Sequence, residues 1–196
     1  TTIHDGPFVK WVREKFDPRM LEEAFPYQEQ DGERKRFFDY LDEGLRPVIL
    51  NGPTGNGKSV LTREYAFTRG LPYYFDTGVS SFRLSQAIGK FVPSPESPVF
   101  APGSLTLAAI FGGLYVLEEM PAIRQDELTG LNVFLETREL PVITHFGHEV
   151  VTAHQDFRFV ATGNFHSNYT RNLLNDATLQ RFTQIKTGYP GEENTK

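Results

Sequence analysis

Eight consecutive residues, Gly52-Pro53-Thr54-Gly55-Asn56-Gly57-Lys58-Ser59, satisfy the pattern G-x-x-x-x-G-K-[ST]. The chemistry open to such a run is phosphate capture. Its glycines let the main chain curl until successive N–H groups, as far as Val60, point at phosphate oxygens. A helix opening at Lys58 adds the positive end of its dipole. The Lys58 ammonium can neutralise the β- and γ-phosphates, and the Ser59 hydroxyl is a hard-oxygen ligand for Mg²⁺. The expected ligand is therefore ATP with magnesium. By chance the pattern arises in roughly 1% of chains this long. A buried strand before it and a helix after it make the alternative, a Gly-rich turn with a solvated lysine, the weaker reading.

Phosphate chemistry of this kind needs a carboxylate near the metal and a group that orients or activates the attacking water. Leu114-Tyr115-Val116-Leu117-Glu118-Glu119 supplies both at the carboxyl end of an apolar strand, where ligands sit in open α/β sheets. Glu118 takes the metal-side position and Glu119 the water-activating one. Aspartate is usual at the first of these. The extra methylene of Glu118 pushes its carboxylate outward by about 1.5 Å, so slow hydrolysis is expected. On their own, two glutamates closing a strand would read as solvated caps; the loop upstream changes that balance.

The elements that must hold these groups can be read from periodicity. Helical spacing predicts helices over Phe8–Phe16, Glu33–Glu43, Lys58–Arg69, Phe82–Phe91, Ser104–Phe111, Arg124–Thr137 and Asp176–Phe182. Short apolar runs predict strands at Pro47–Asn51, Leu71–Phe75, Leu114–Leu117, Phe157–Thr162 and Gln184–Thr187. The proline-rich stretch Val92–Pro102 reads as a hairpin or loop. Pro141–Ala153 alternates and reads as a hairpin turning at Phe146-Gly147-His148. Strands alternating with helices imply a mainly parallel sheet covered on both faces.

Composition bounds the rest. The 196-residue chain is 39% hydrophobic and 23% charged, which fits a globular domain with a real core. It has no cysteine, which excludes disulfides, thiolate metal sites and thiol catalysis. The net charge of -5 argues against a dedicated nucleic-acid binder. No apolar run is long enough for a membrane span. Thr1–Asp5 shows no signal-peptide character, so a cytoplasmic location is expected. His145, His148 and His154 lie on or beside the second hairpin. Their spacing can make a metal site, but exposed hairpin histidines are ordinarily only polar residues.

Further segments follow in order: Leu131-Asn132-Val133-Phe134-Leu135-Glu136-Thr137-Arg138-Glu139-Leu140, then Phe157-Arg158-Phe159-Val160-Ala161-Thr162-Gly163-Asn164, Leu179-Gln180-Arg181-Phe182 and Gly188-Tyr189-Pro190. With the phosphate loop and Gly112–Glu119 they resemble the MoxR-type AAA+ ATPases, most nearly the CbbQ/NorQ branch. The similarity covers about Pro47 to Pro190.

That resemblance implies an α/β P-loop core with a five-stranded, mainly parallel sheet sandwiched by helices, plus a β-hairpin and a helix insert. Residues 1–46 then form an N-terminal helical segment, 47–190 the nucleotide-binding core, and 191–196 a tail leading to a lid domain that is missing here. The missing lid puts tight nucleotide closure in doubt. The resemblance gives Asn164 the sensor 1 role, touching the lytic water or the γ-phosphate. It gives Arg181 the role of a finger reaching a neighbouring subunit's nucleotide, with Arg171 a poorer substitute. Val92–Phe111 matches the family's helix insert, and Pro141–Ala153 its hairpin before sensor 1. It further implies a homo-oligomeric ring, a hexamer in the full-length protein.

The function expected from all this is an ATP-hydrolysing remodelling chaperone. It would act on a protein client such as a metalloenzyme, beside a partner with a von Willebrand factor A domain. A hexameric nucleic-acid motor is the alternative, ranked lower because Thr144–Thr152 carries no lysine or arginine. A nucleotide-binding scaffold with weak hydrolysis is the third, motivated by Glu118.

Overall fold

Short apolar runs bounded by amphipathic stretches give this chain its alternation of strand and helix. The computed structural model describes residues 5–29, 31–165 and 179–188. Helix α1 (Pro7–Lys15) begins on a proline, whose missing N–H costs nothing in a first turn. Helix α2 (Glu33–Glu43) stops at Gly44, which takes the left-handed conformation at its C-cap. Then follow β1 (Val48–Asn51), α3 (Lys58–Arg69), β2 (Tyr73–Thr77), α4 (Leu84–Ile88), β3 (Gly89–Val92), β4 (Val99–Pro102) and α5 (Ser104–Phe111). Strand β5 (Leu114–Glu118) runs through a 3₁₀ turn (Met120–Ala122) into α6 (Gln125–Thr137). The chain continues with β6 (Glu139–Thr144), β7 (Gly147–Thr152), β8 (Arg158–Gly163) and β9 (Thr183–Lys186).

Five strands form one sheet in the order β2-β5-β8-β1-β9, every neighbouring pair parallel. The expected five-stranded α/β architecture is thus present. Its register brings the strand ends level: Asn51 pairs with Gly163 and Lys186, and Thr77 pairs with Glu118. All loops leaving those ends therefore meet along one edge.

Strand residues divide alternately between two cores. Val48, Leu50, Leu114, Val116, Val160 and Ile185 face the side covered by α2 and α3. Ile49, Tyr115, Leu117, Phe159 and Ala161 face the side covered by α1, α5 and α6. Each such fully buried side chain contributes about 1.5–3 kcal/mol relative to exposure. The N-terminal segment is part of this packing. Phe8, Val9 and Val12 of α1 join one core, and Phe37, Phe38 and Leu41 of α2 the other. Glu149 of β7 accepts hydrogen bonds from the N–H groups of Phe8 (2.9 Å) and Val9 (3.3 Å), so a carboxylate sits at the positive end of α1.

Four sequence expectations are corrected. The helix expected over Phe82–Phe91 is only Leu84–Ile88. Gly89 breaks it at φ 150, and the chain then pairs as a strand with Val99–Pro102. The second hairpin turns at His145-Phe146, one residue early, because Gly147 already pairs with Thr144. The second strand starts at Tyr73 instead of Leu71. Pro72 has no N–H for a ladder, although its carbonyl accepts from the Leu114 N–H at 2.8 Å. The last strand covers Thr183–Lys186, one residue earlier than expected. The helix expected over Asp176–Phe182 lies mostly outside the described residues. Among the described residues no helix is long and apolar enough to cross a membrane.

Candidate functional site

The segment between β1 and α3 is a closed loop. Gly55 and Gly57 both take φ +82, a conformation that side chains resist, and the turn they create delivers Lys58 to the start of α3. Gly52 leaves the sheet beside β8, its N–H donating to the Gly163 carbonyl at 3.1 Å. A Cβ there would collide with the Thr187 main chain and the Asn56 amide. Only glycine fits. Asn56 in turn donates to the Thr187 hydroxyl, tying the loop to the residue that follows β9.

Lys58 is buried, and its ammonium donates to the carbonyls of Gly52 (2.9 Å) and Pro53 (2.6 Å) and to Asn56 Oδ1 (3.1 Å). Burial pushes its pKa below the ordinary lysine value, and the nearby Glu119 charge opposes that shift. The loop thus holds its own cation on its own carbonyls.

Opposite the loop stands the end of β5. Ser59 Oγ donates to Glu118 Oε1 at 2.8 Å, so the longer side chain of glutamate still reaches across to the loop. Glu119 follows with φ 53, a left-handed conformation uncommon for a residue with a side chain. Such strain persists only where surrounding structure imposes it. Thr54–Val60, Glu118, Glu119 and Thr162 line a cleft of about 270 Å³. A serine hydroxyl and a carboxylate at hydrogen-bond distance are hard oxygen donors, suited to a small divalent cation that takes its remaining ligands from water and phosphate.

Gly52 and Pro53 adjoin this cleft through Lys58. Asn164 is exposed and follows β8 directly, between two fastened residues. Gly163 accepts from Gly52, and Phe165 donates its N–H to the buried Asn51 side chain at 3.0 Å. Arg181 does not line the cleft. Its guanidinium lies 3.3 Å from Glu136, and both groups are at least half exposed. Arg171 lies outside the described residues. His145 Nδ1 accepts the Phe100 N–H and His154 Nδ1 accepts the Asp156 N–H, each at 3.1 Å. No group of three metal-ligating side chains occurs among the described residues.

Sequence reasoning passed over Asn51, Thr162 and Thr187. Asn51 carried a signal, a polar residue closing a fully apolar strand: a buried amide there needs partners, and it finds one in the Phe165 N–H. Thr162 and Thr187 carried none, since their relation to the loop depends on strand order.

Comparison with known proteins agrees with this geometry. A family model described as AAA domain (dynein-related subfamily) matches residues 47–182. The chain is 29% identical over 175 residues to Protein CbbQ of Hydrogenophilus thermoluteolus, covering 89% of this chain and 65% of that protein. It is 27% identical over 165 residues to Protein NorQ of Paracoccus denitrificans, covering 84% of this chain and 61% of that one. The chain thus spans less than two thirds of the length of these relatives. A solved protein from Cytophaga hutchinsonii, described as a candidate ATPase, shares the fold with a TM-score of 0.63 at 16% identity, over 81% of this chain and 47% of that one. The resemblance to MoxR-type AAA+ ATPases of the CbbQ/NorQ branch is borne out, and the chain belongs to the AAA domain family, dynein-related subfamily.

Proposed function

We propose that this AAA domain binds ATP with magnesium in the cleft between the phosphate loop and β5, and hydrolyses it to drive remodelling of a protein client. The observation that carries the reading is the 2.8 Å hydrogen bond joining Ser59 to Glu118 beside a loop curled by Gly55 and Gly57 at φ +82. Main-chain N–H groups between Thr54 and Val60 hold the triphosphate, with Gly52 and Pro53 shaping the entry to the loop. Lys58 leaves the Gly52 and Pro53 carbonyls and turns to the β- and γ-phosphates. Ser59 and Glu118 hold the magnesium ion, which supplies neutralising charge to the phosphates. Glu119 accepts a proton from the attacking water, and Asn164 orients that water by a side-chain hydrogen bond. Neither task can fall to Lys58, which has no acceptor.

Arg181 stands outside its own subunit's cleft and serves the cleft of a neighbour. There a planar, delocalised cation suits the charge spread over a transferring phosphoryl group. This requires a homo-oligomeric ring, a hexamer by family likeness, with Glu136 holding the arginine until a neighbour arrives. By likeness to CbbQ, NorQ and the denitrification regulatory protein NirQ of Pseudomonas aeruginosa, the client is a protein such as a metalloenzyme. A partner with a von Willebrand factor A domain and a cytoplasmic location belong to the same reading. The exposed hairpin loop offers no lysine or arginine between Thr144 and Thr152, which disfavours a nucleic-acid motor.

The decisive test is calorimetric titration of Mg-ATP into the wild-type chain and Lys58→Ala. The substitution is expected to abolish binding while the chain stays folded. Equal affinity in the two proteins would end the assignment.

A further inference from the structure

The amino edge of the sheet carries a second concentration of charge that the nucleotide reaction does not use. Arg158, the first residue of β8, donates Nε to the Leu41 carbonyl (2.6 Å) and a terminal nitrogen to the carbonyls of Gln155 (2.8 Å) and Phe157 (3.1 Å). Arg138 closes α6 in a left-handed conformation, φ 62. One of its terminal nitrogens donates to the His154 carbonyl (2.8 Å) and the other, weakly, to the Phe157 carbonyl (3.5 Å). Two guanidinium groups therefore converge on one carbonyl oxygen.

Neither is ion-paired among the described residues. Asp42, whose charge feels Arg158, is taken by Arg69 (2.9 and 2.7 Å) and by the Tyr65 hydroxyl (2.9 Å). The two arginines and the exposed Arg46 line a cavity of about 200 Å³. The one carboxylate on its wall, Glu136, is occupied with Arg181 at 3.3 Å.

Three cations around one cavity whose single wall carboxylate is shared with a fourth cation are costly, since partly buried charges are normally compensated. Burial, and then the Arg158 charge, hold Arg138 below the usual guanidinium range. The C-terminal ends of α2 and α6 favour cations here, but each offers only about half a negative charge. The sum stays positive. Donor capacity also remains: a guanidinium has five N–H groups, and the described bonds occupy three N–H···O contacts on Arg158 and two on Arg138.

We propose that this cavity is a binding site for a phosphate group, free or carried on a small molecule, held by Arg46, Arg138 and Arg158. Guanidinium forks match the oxygens of a phosphate, and convergent forks match it better than a carboxylate, which offers only two oxygens. A cavity of about 200 Å³ suits a phosphate group or a small phosphorylated molecule. The site lies where β1 and β8 begin, and the opposite ends of those strands carry the phosphate loop and Asn164. It does not rest on the ATP reading, although Glu136 of its wall also holds Arg181.

The test is an amide NMR titration of the whole chain with inorganic phosphate and with glycerol phosphate, ionic strength held constant with chloride. Saturable shifts are expected at Gly44, Leu45, Arg46, Arg138 and Arg158, resolved from any at Gly52–Val60. Tighter binding of glycerol phosphate assigns the site to a phosphorylated small molecule, and equal binding to phosphate itself. Arg46→Gln, which removes an exposed side chain, should weaken binding about threefold. Arg158→Gln should weaken it at least tenfold. The proposal is overturned if shifts are confined to the phosphate loop, if acetate matches phosphate, or if Arg46→Gln leaves the affinity unchanged.

Discussion

The two edges of the central sheet handle charge differently. At the carboxyl edge, Lys58 rests on the loop's carbonyls and Ser59 donates to Glu118, so the polar groups satisfy one another. At the amino edge, Arg138 and Arg158 share main-chain carbonyls and find no carboxylate among the described residues. A ligand at the first edge must displace internal bonds, and its affinity is the difference between old and new partners. A ligand at the second adds bonds to guanidinium N–H groups that the main-chain carbonyls leave unused. Balanced charge suits a site that must open and close with each turnover; uncompensated charge suits one that holds an anion steadily.

Replacing groups edge by edge sharpens that contrast. The largest effect is expected from Glu119→Gln. It keeps size and hydrogen bonding but cannot take a proton, so steady-state phosphate release should fall about 10²- to 10⁴-fold while calorimetric Mg-ATP affinity is retained. Loss of binding in parallel would mean that Glu119 holds the closed loop rather than acting on water.

Next comes a pair of glycines, one at each edge. Gly52→Ala drives a methyl into the Thr187 main chain, which cannot yield, and should cost about 3 kcal/mol in urea unfolding. Gly44→Ala, at φ +65, meets only the Arg158 guanidinium at 2.8 Å, the movable end of a long side chain. It should cost about 1 kcal/mol, mostly backbone strain. Equal costs would show that Arg158 is as immovable as main chain, and the contrast between the edges would narrow.

The smallest effect concerns a half-buried acid. Asp76, on β2, accepts the Tyr115 hydroxyl at 2.7 Å; burial raises its pKa, and that hydrogen bond partly lowers it again. A raised carboxylate pKa means that the native chain binds a proton which the unfolded chain has already released. Ionised Asp76 therefore costs stability above its folded pKa, and the cost disappears as pH falls below the unfolded value of about 3.9. Asp76→Asn, whose amide oxygen still accepts from Tyr115, should stabilise at pH 7 by no more than about 1 kcal/mol. Thermal unfolding from pH 7 to 4 should show the advantage shrinking; a constant advantage would mean that its origin is packing.

Much of the carboxyl edge could be read from the chain because phosphate binding by main-chain amides is local chemistry. Eight adjacent residues make the loop, and apolar runs on either side mark the strand and helix that frame it. Glu118 and Glu119 were found the same way, as acids closing an apolar strand. Asn164 and Arg181 entered through family likeness, since one Asn after a strand and one exposed Arg carry no local signal. The hairpin at Gly89–Pro102 was half hidden because Phe82–Phe91 fits a helical spacing that only strand pairing overrides.

Sequence by itself determined the alternation of strand and helix, the phosphate loop and the acids at the end of β5, because each is set by neighbours along the chain. Tertiary structure alone decided the order β2-β5-β8-β1-β9, the fastening of the loop by Thr187 and of the Phe165 segment by Asn51, and the meeting of Arg46, Arg138 and Arg158. Those depend on which strands lie side by side. That choice is made by the burial of two whole faces of the sheet, to which no short stretch of sequence contributes enough to be read alone.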